Sequence, residues 1–395
     1  MTSSEGARGV EDWAEADLCV VNTCTVTSEA DKDALRLIRK ISRRNPAARL
    51  VVTGCLATRD PSLILKAAPA AQVVGNQEKA GIPAMLGCSV LPGGVHGLHS
   101  RTRAFVKVQD GCNMHCTFCV IPEIRPKLSS RPLDELEAEV RGIIESGRSE
   151  VVLCGIRLGR YLTQDRDGRR VDFPGLLERL AGLPGEFRLR LSSLEITDLT
   201  DRLIELTAAS GGRICPSFHL PLQSGSNAVL KRMERWYSTE FYARRIESLR
   251  KRLPRAGLFT DVIAGFPGET AEEFGQTMDF IRKTEFSGLH VFRYSRRKGT
   301  PAAELTGQIS ETELRVRAKA LRGLDTELRE KFARAAVVEE RTVVRAPKGE
   351  TAEALTEDFI TAKMETDPGP GLRRVLIESM DGSSVRAVLK GPLPA

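Results

Sequence analysis

The first part of the chain alternates between short apolar runs and an amphipathic stretch. Residues 18–21 and 50–52 are apolar runs of strand length, and the stretch Ser28–Arg44 between them has the periodicity of a helix. A strand–helix–strand order is typical of a parallel sheet, because parallel neighbours need a crossover connection. The glycine- and proline-rich segment 91–97 predicts a linker. We therefore place a first domain at residues 1–98.

Residues 99–335 repeat this alternation several times, with helical stretches such as Leu133–Glu145 between apolar runs. The predicted strands cover residues 104–108, 150–153, 188–191, 217–220, 257–263 and 288–292. Six strands with crossover helices predict a partial parallel barrel of the (β/α)6 type. In such folds the chemistry lies where the strands end. Most of the polar motifs below follow one of these strands.

The C-terminal part of the chain has a different pattern. After a charged helical stretch at Glu311–Ala335, residues 337–395 alternate apolar and polar positions between Gly/Pro turns at 367–371 and 381–384. Such alternation predicts a small antiparallel β domain, either a sandwich or a barrel. The predicted fold class is thus α/β, with a C-terminal β domain at residues 336–395.

Composition and the absence of targeting features indicate a cytoplasmic protein. The 395 residues are 41% apolar, enough to bury a sizeable core. No apolar run approaches the ~20 residues of a membrane span, and the acidic N-terminus lacks the features of a secretory signal. In a reducing cytoplasm the nine cysteines are candidates for metal binding rather than for disulfides. The net charge of +7 permits an anionic partner such as nucleic acid but does not require one.

Three cysteines follow the first predicted barrel strand. Cys112, Cys116 and Cys119 have the spacing C-x3-C-x2-C in the segment 110–122, DGCNMHCTFCVIP. Three thiolates on one loop can bind three irons of a [4Fe–4S] cluster and leave the fourth for S-adenosylmethionine (SAM). A structural zinc site, which normally takes four protein ligands, and a set of unrelated buried thiols are the alternatives.

Ordered motifs along nearly the whole chain resemble those of the radical SAM methylthiotransferases. Besides the cysteine loop, these motifs are residues 21–27 (VNTCTVT), 51–55 (VVTGC), 190–195 (RLSSLE), 219–226 (HLPLQSGS), 260–269 (TDVIAGFPGE), 290–295 (HVFRYS) and 299–301 (GTP). The resemblance implies an enzyme that puts a methylthio group on a tRNA adenosine or on a ribosomal-protein aspartate. One SAM would supply the methyl group, and a second would be cleaved to a radical that activates the acceptor. An electron donor such as a flavodoxin or a ferredoxin would be required.

The resemblance also implies roles for individual residues, beginning with the loop cysteines as ligands of the SAM-binding cluster. Phe118 would pack near the SAM adenine, although simple core packing also explains a phenylalanine there. Gly155 matches a position that offers backbone groups to the SAM amino group, unless it only ends a strand. The segment from Gly265 to Glu269 would lie beside the adenine, where glycine lets the backbone approach a ligand closely.

Cys24 and Cys55 resemble two of the three ligands of an auxiliary [4Fe–4S] cluster, where the family assembles the sulfur to be transferred. Each follows a predicted strand, so both can face the same end of the sheet. The family's first ligand should lie a few dozen residues before Cys24, and the sequence begins too late to include it. Cys19 and Cys88 are the spare candidates, but Cys19 should point to the opposite face of its strand. A start codon placed too late, or a truncated paralogue, is the expected explanation.

The segment that follows the loop departs from the family pattern. The family usually has an aromatic residue and then Arg-Gly after the proline, whereas residues 122–127 read PEIRPK. This departure leaves the local contacts to substrate or SAM open, although not the cluster itself.

Residues 355–360 (LTEDFI) resemble the central signature of the TRAM domain, a small β-barrel that usually binds RNA. Residues 337–395 carry eight Lys/Arg against ten Asp/Glu, and RNA affinity depends mainly on phosphate neutralisation. This domain alone is therefore a weak RNA clamp. Positive charge is concentrated elsewhere, either to contact tRNA phosphates or as a solvated face. The candidates are residues 231–255, Arg36, Arg39, Lys40, Arg43, Arg44, Arg293, Arg296, Arg297 and Lys298.

Two segments bear on the substrate. Residues 154–161 (CGIRLGRY) and 192–195 (SSLE) look most like enzymes that act on N6-threonylcarbamoyladenosine at position 37 of tRNA. The Asn-rich segment of the isopentenyladenosine enzymes is absent. A tRNA methylthiotransferase is therefore the leading hypothesis. The alternatives are the same chemistry on a ribosomal-protein aspartate and a truncated, non-catalytic iron–sulfur paralogue that binds RNA.

Overall fold

A computed structural model describes residues 9–87, 103–346 and 352–392. Cys88 and the linker predicted at 91–97 lie outside these residues. The elements of the N-terminal part are, in chain order, β1 (Leu18–Thr23), α1 (Ser28–Arg44), β2 (Arg49–Gly54), α2 (Cys55–Arg59), α3 (Pro61–Ala67), β3 (Gln72–Val74), α4 (Ile82–Met85), β4 (Arg103–Asp110), α5 (Ile121–Ile124) and β5 (Ser129–Ser130).

The central part continues the alternation of strand and helix. Its elements are α6 (Leu133–Glu145), β6 (Glu150–Gly155), β7 (Leu162–Gln164), β8 (Arg170–Asp172), α7 (Phe173–Ala181), β9 (Arg188–Leu191), α8 (Asp201–Ala209), β10 (Ser217–His219), α9 (Asn227–Arg232), α10 (Thr239–Arg252), β11 (Gly257–Ala264), α11 (Ala271–Thr284) and β12 (Gly288–Arg293). The C-terminal elements are α12 (Pro301–Glu304), α13 (Glu311–Ala335), β13 (Glu340–Arg345), β14 (Ala352–Thr356), β15 (Thr361–Met364), β16 (Arg373–Asp381) and β17 (Ser384–Pro392).

The chain divides into two compact units that do not follow the order of the sequence. The described part of the first unit consists of residues 9–87, 112–127 and 295–304. The second unit consists of residues 103–111, 128–294, 305–346 and 352–392. The cysteine loop therefore belongs to the same unit as the N-terminal sheet. The domain boundaries at residues 98 and 335 stay predictions.

The first unit is built on a parallel sheet with the strand order β1–β2–β3. The helix α1 covers one face through the buried Ile38 and Ile41, and the Thr27 hydroxyl caps its first turn by accepting from the Ala30 N–H. The register pairs Thr23 with Gly54. Cys24 and Cys55 are the residues that directly follow these two strands. Both consequently lie at the same end of the sheet.

The second unit contains the predicted partial barrel. Its parallel strands follow the order β4–β6–β9 in one sheet and β10–β11–β12 in another. A parallel bridge between Ser193 and His219 links the end of β9 to β10. The antiparallel hairpin of β7 and β8 is an addition that the apolar pattern did not predict.

The C-terminal β domain is a closed barrel in the strand order β13–β14–β15–β17–β16, which decides between the sandwich and the barrel. It adjoins the β6–β9 edge through two buried arginines. Arg188 donates to the carbonyls of Thr342 (2.8 Å) and Leu355 (2.9 Å), while Arg190 donates to those of Thr356 and Glu357. Both guanidinium groups also bind the buried carboxylate of Glu150.

Within the described residues, none of the helices combines the length and the apolar character that a bilayer crossing requires.

Candidate functional site

The cysteine loop begins where β4 ends, and a buried glutamine fixes its entry. The Gln109 side-chain amide donates to the carbonyls of Asp110 (2.8 Å) and Gly111 (2.9 Å). Gly111 has a φ of +84°, a left-handed conformation that glycine adopts without strain. At the other end of the loop, the Arg125 carbonyl accepts a hydrogen bond from the Cys112 N–H at 3.0 Å. The loop is therefore held closed at both ends.

The loop sulfurs lie among backbone N–H groups. The Met114 N–H points at the Cys112 sulfur (3.4 Å) and the Ile121 N–H at the Cys119 sulfur (3.5 Å). Cys116 is buried, while Cys112 and Cys119 are partly exposed. Such N–H groups can satisfy a sulfur that carries negative charge as a metal ligand.

A single zinc ion and an iron–sulfur cluster make different demands on three thiolates. Tetrahedral zinc with Zn–S bonds of ~2.3 Å would bring its thiolates to within roughly 4 Å of one another. Across the described residues, one set of three metal-ligating groups has all its ligand atoms within 4.8 Å, and that set contains no cysteine. An iron–sulfur cube instead lets each thiolate bind a separate metal corner.

The sulfur of Cys55 has two nitrogen neighbours in the first unit. The Asn76 side-chain amide lies 3.6 Å from it, and the Arg125 guanidinium lies 3.7 Å from it. Arg125 also donates to the Asn76 Oδ1 atom at 3.0 Å, so these side chains hold one another in place. Val120 and Ile124 pack against Cys55 from the same loop. The cysteine loop and the edge of the N-terminal sheet thus meet at Cys55.

Arg125 lies in segment 122–127, which departs from the family pattern, and its contacts explain part of that difference. Its side chain reaches Cys55 and its carbonyl closes the cysteine loop, so the described contacts of this arginine serve the loop and the sheet edge. Asn76 was missed by sequence reasoning. It follows the three-residue strand β3, and its position just after a third parallel strand is the signal that could have found it.

The other cysteines of the sheet differ in exposure. Cys24 is exposed at the sheet edge. Cys19 is buried in the apolar core of the first unit, where its thiol donates to the Trp13 carbonyl and burial raises its pKa. Cys19 is therefore oriented as a core residue. Cys88, the other spare candidate, lies outside the described residues.

The residues predicted to contact SAM lie at a strand end or in the loops that follow strands. Phe118 is partly buried. A Cβ atom at Gly155 would come within 3.1 Å of the Gln109 Cβ atom, so glycine permits close packing there. Gly265 has a φ of +75°, and a Cβ atom on it would overlap the side chain of Leu314.

Glu269 holds the Gly265 turn. Its carboxylate accepts from the Gly265 N–H (2.9 Å) and from the Arg317 guanidinium (2.7 Å). Burial raises the pKa of Glu269, while the hydrogen bonds from Arg317 and Gly265 oppose that rise. The described contacts of Glu269 are those of a residue that fixes the loop after β11.

A second polar cluster lies along the barrel strands β10, β11 and β12. One carboxylate oxygen of Asp261 lies 2.8 Å from His219 Nε2 and 3.2 Å from His290 Nδ1. The Ser193 hydroxyl lies 2.7 Å from His219 Nδ1. Burial acts to raise the pKa of Asp261, but the hydrogen bonds from both imidazoles outweigh it and bring the pKa to about 2. These side chains lie in the sequence motifs 190–195, 219–226, 260–269 and 290–295, but the sequence pattern predicted no role for them.

One of the proposed phosphate-binding arginines is not available for that purpose. Arg297 is buried and donates to the Asp31 carboxylate and to the Thr25 hydroxyl, both at 2.6 Å. The hypothesis that it contacts tRNA is therefore wrong. Arg296 and Lys298 are exposed, so their side chains remain accessible to a phosphate.

Comparison with known protein families identifies two regions. Residues 106–281 match the model of the Radical SAM superfamily, and residues 1–75 match the model described as Uncharacterized protein family UPF0004.

Several curated proteins match most of the chain. The threonylcarbamoyladenosine tRNA methylthiotransferase MtaB of Bacillus subtilis is 40% identical over 337 residues, which cover 80% of this chain and 74% of that protein. The MtaB of Thermotoga maritima is 33% identical, with coverages of 82% and 77%. A tRNA-2-methylthio-N(6)-dimethylallyladenosine synthase of Desulfitobacterium hafniense is 34% identical, with coverages of 78% and 73%.

Among solved structures, the radical S-adenosylmethionine methyltransferase TsrM of Kitasatospora setae aligns with a TM-score of 0.55 and 15% sequence identity. The alignment covers 74% of this chain and 67% of that chain. At this identity the similarity is one of fold.

Proposed function

The chain belongs to the radical SAM methylthiotransferase family, and from this membership we propose that it transfers a methylthio group to C2 of N6-threonylcarbamoyladenosine in tRNA. The observation that carries the proposal is the first compact unit, which contains the three-cysteine loop together with the sheet edge of Cys24 and Cys55. The substrate is supported by segment 154–161 and by the relatives named for threonylcarbamoyladenosine.

Cys112, Cys116 and Cys119 are the proposed ligands of a [4Fe–4S] cluster that binds SAM. When bound, such a cluster supplies the electron for reductive cleavage of SAM. The chain's own residues prepare the loop for it. Gln109 fixes the loop entry and Arg125 closes it, while backbone N–H groups face two of the sulfurs.

Cys24 and Cys55 are the proposed ligands of an auxiliary [4Fe–4S] cluster. The register of β1 and β2 supports this assignment, because it puts both residues at one edge of the sheet. The Asn76 amide would donate a hydrogen bond to the Cys55 sulfur, and the Arg125 guanidinium would offset part of its negative charge. The third ligand of this cluster is not assigned.

The predicted contacts of SAM with Phe118, Gly155, Gly265 and Glu269 stay predictions. The position of Glu269 favours an indirect role in SAM binding, in which its carboxylate fixes the Gly265 turn. The proposal further includes a flavodoxin or a ferredoxin as the electron donor and the cytoplasm as the location.

Nucleoside analysis tests the proposed function. Cells that lack the gene are complemented with the wild-type chain, with Cys116→Ala, or with Cys215→Ala as a control in the barrel core. Mass spectrometry of digested tRNA should show methylthiolated threonylcarbamoyladenosine with the wild type and the control, but not with Cys116→Ala. A methylthio group on a ribosomal-protein aspartate instead of tRNA would overturn the proposed substrate.

A further inference from the structure

Arg157 is a buried arginine beside the end of barrel strand β6, in the turn that follows it. Its backbone N–H donates to the Gln109 side chain at 2.7 Å, which fixes the turn. Its side chain is only 2% exposed, and its Nε atom lies 3.3 Å from an Asp198 carboxylate oxygen. The Nη1 atom is also buried, and in the part of the chain that the structure describes it has no hydrogen-bond partner.

An unsatisfied donor on a buried cation calls for an acceptor. Buried polar groups are almost always hydrogen-bonded, and a guanidinium group presents its N–H groups as a fork that matches a carboxylate. Asp198 occupies only the Nε side of this fork. The unpaired Nη1 donor therefore suits a second, negatively charged oxygen supplied by a ligand.

The turn is shaped to hold this pair. A Cβ atom on Gly159 would overlap the Asp198 side chain, so glycine is needed for Asp198 to reach Arg157. Asp198 lies in the turn that leads to α8, while Arg157 lies in the turn after β6. Two loops that follow neighbouring barrel strands thus position the guanidinium group, at the end of the sheet where ligands bind in parallel folds.

An exposed aromatic ring lies next to the same cation. The guanidinium carbon of Arg157 is 5.3 Å from the ring centroid of Trp236, and Trp236 is 51% exposed. The neighbouring residues are anchored, because Arg235 binds the Glu195 carboxylate and the Tyr237 hydroxyl donates to the Leu222 carbonyl at 2.8 Å. A large ring exposed between anchored neighbours offers an apolar surface to a ligand held by Arg157.

We infer that Arg157 determines specificity for the substituent on N6 of the substrate adenosine. Its Nη1 group donates to the carboxylate of the threonyl group, and Trp236 covers the less polar part of the ligand. The inference rests on the proposed function. A dimethylallyl substituent has no carboxylate and would leave the buried donor unsatisfied, so the same site rejects it.

The test compares anticodon stem–loop RNAs that carry threonylcarbamoyl, dimethylallyl or no substituent on the adenosine. Binding to the reconstituted protein is followed by fluorescence anisotropy, and methylthiolation of each RNA is measured in parallel. The variants are Arg157→Gln, Arg157→Lys and Trp236→Ala. Arg160→Gln is the control, because Arg160 is an exposed arginine of the same turn.

The wild type and Arg160→Gln should bind the threonylcarbamoyl RNA more tightly than the other two. Arg157→Gln should weaken binding of that RNA alone by about 10- to 100-fold, as expected for a lost hydrogen bond to a charged group. The affinity of Arg157→Lys for the threonylcarbamoyl RNA should lie between those of the wild type and Arg157→Gln. Lysine keeps the positive charge but lacks the forked pair of donors. Trp236→Ala should weaken binding of the same RNA while Arg157 remains.

An unchanged preference in folded Arg157→Gln and Arg157→Lys, or equal weakening for all three RNAs, would overturn the inference. Circular dichroism of each variant shows whether it is folded. A different result would overturn the proposed function and leave the role of Arg157 intact: the wild type would bind the threonylcarbamoyl RNA selectively but never methylthiolate it.

Discussion

The Arg125 guanidinium lies 3.7 Å from the sulfur of Cys55, across 70 residues of sequence. Arg125 belongs to the end of the cysteine loop, and Cys55 follows the second strand of the N-terminal sheet. One arginine therefore contacts both groups of proposed cluster ligands, since its backbone carbonyl also accepts from the Cys112 N–H. Arg125 thus links the environments of the two proposed clusters.

Replacement of Arg125 should impair the auxiliary site more than the SAM cluster. In Arg125→Ala the Cys55 sulfur and the Asn76 amide lose their common partner, while the backbone bond to Cys112 remains. We expect a shift in the reduction potential of the cluster near Cys55, read by redox titration with electron paramagnetic resonance. Arg36→Ala, on the exposed face of α1, is the control. Identical spectra and potentials for Arg125→Ala and the control would contradict this role.

The Gly265 turn should not tolerate a side chain. Its φ is +75°, and a Cβ atom would overlap Leu314, so Gly265→Ala adds both backbone strain and a collision. We expect a loss of about 2–4 kcal/mol in the free energy of unfolding, measured by urea denaturation. Gly275→Ala is the matched control, because this glycine lies inside α11 with open space around it. The control should gain about 0.5–1 kcal/mol from helix propensity. Equal stabilities would show that the turn is not constrained.

Glu150 should be essential for the junction with the C-terminal barrel. It is fully buried between Arg188 and Arg190, and its removal leaves two buried cations without their shared anion. Glu150→Gln should therefore cost about 3–5 kcal/mol in the free energy of unfolding. Glu178→Gln, which weakens an exposed pair with Arg202, should cost less than about 1 kcal/mol. A similar small cost for both variants would contradict the account of the junction.

The same carboxylate predicts a pH dependence. Burial acts to raise the pKa of Glu150, but the charges of Arg188 and Arg190 outweigh it and bring the pKa to about 2. Since the folded value lies below the ordinary value of 4.5, its stabilising contribution is complete above about pH 5 and is lost as the pH falls towards 2. Unfolding measured between pH 6 and pH 3 should show this loss in the wild type and a smaller one in Glu150→Gln. Parallel curves would argue against this contribution.

Local sequence patterns predicted most of the helices and strands. They did not predict most of the long-range contacts between them. The helix α1 has the predicted bounds, because its apolar spacing and its Thr27 cap are local signals. The strand β3 was missed, because three residues are too few to show a period, and Asn76 was missed with it. In the C-terminal barrel, the parallel pairing of β15 with β17 depends on closure and not on either strand's own pattern.

In the candidate site, too, local features could be predicted from the sequence, whereas contacts between distant segments could not. The spacing of the loop cysteines is visible in the sequence, whereas the approach of Arg125 to Cys55 depends on the packing of distant segments. A charge count cannot distinguish the buried Arg297, paired with Asp31, from exposed arginines nearby. Similarly, the buried donor of Arg157 becomes evident only once its neighbours are known.

The proposed function depends above all on a cysteine loop that binds a cluster able to cleave SAM. The most direct measurement is the formation of 5′-deoxyadenosine after anaerobic reconstitution and reduction with dithionite, alongside the iron content and the visible absorbance. The wild type should bind iron with iron–sulfur absorbance and form 5′-deoxyadenosine, and Cys116→Ala should form none. Tightly bound zinc without iron–sulfur absorbance, or undiminished 5′-deoxyadenosine formation by Cys116→Ala, would contradict the claim.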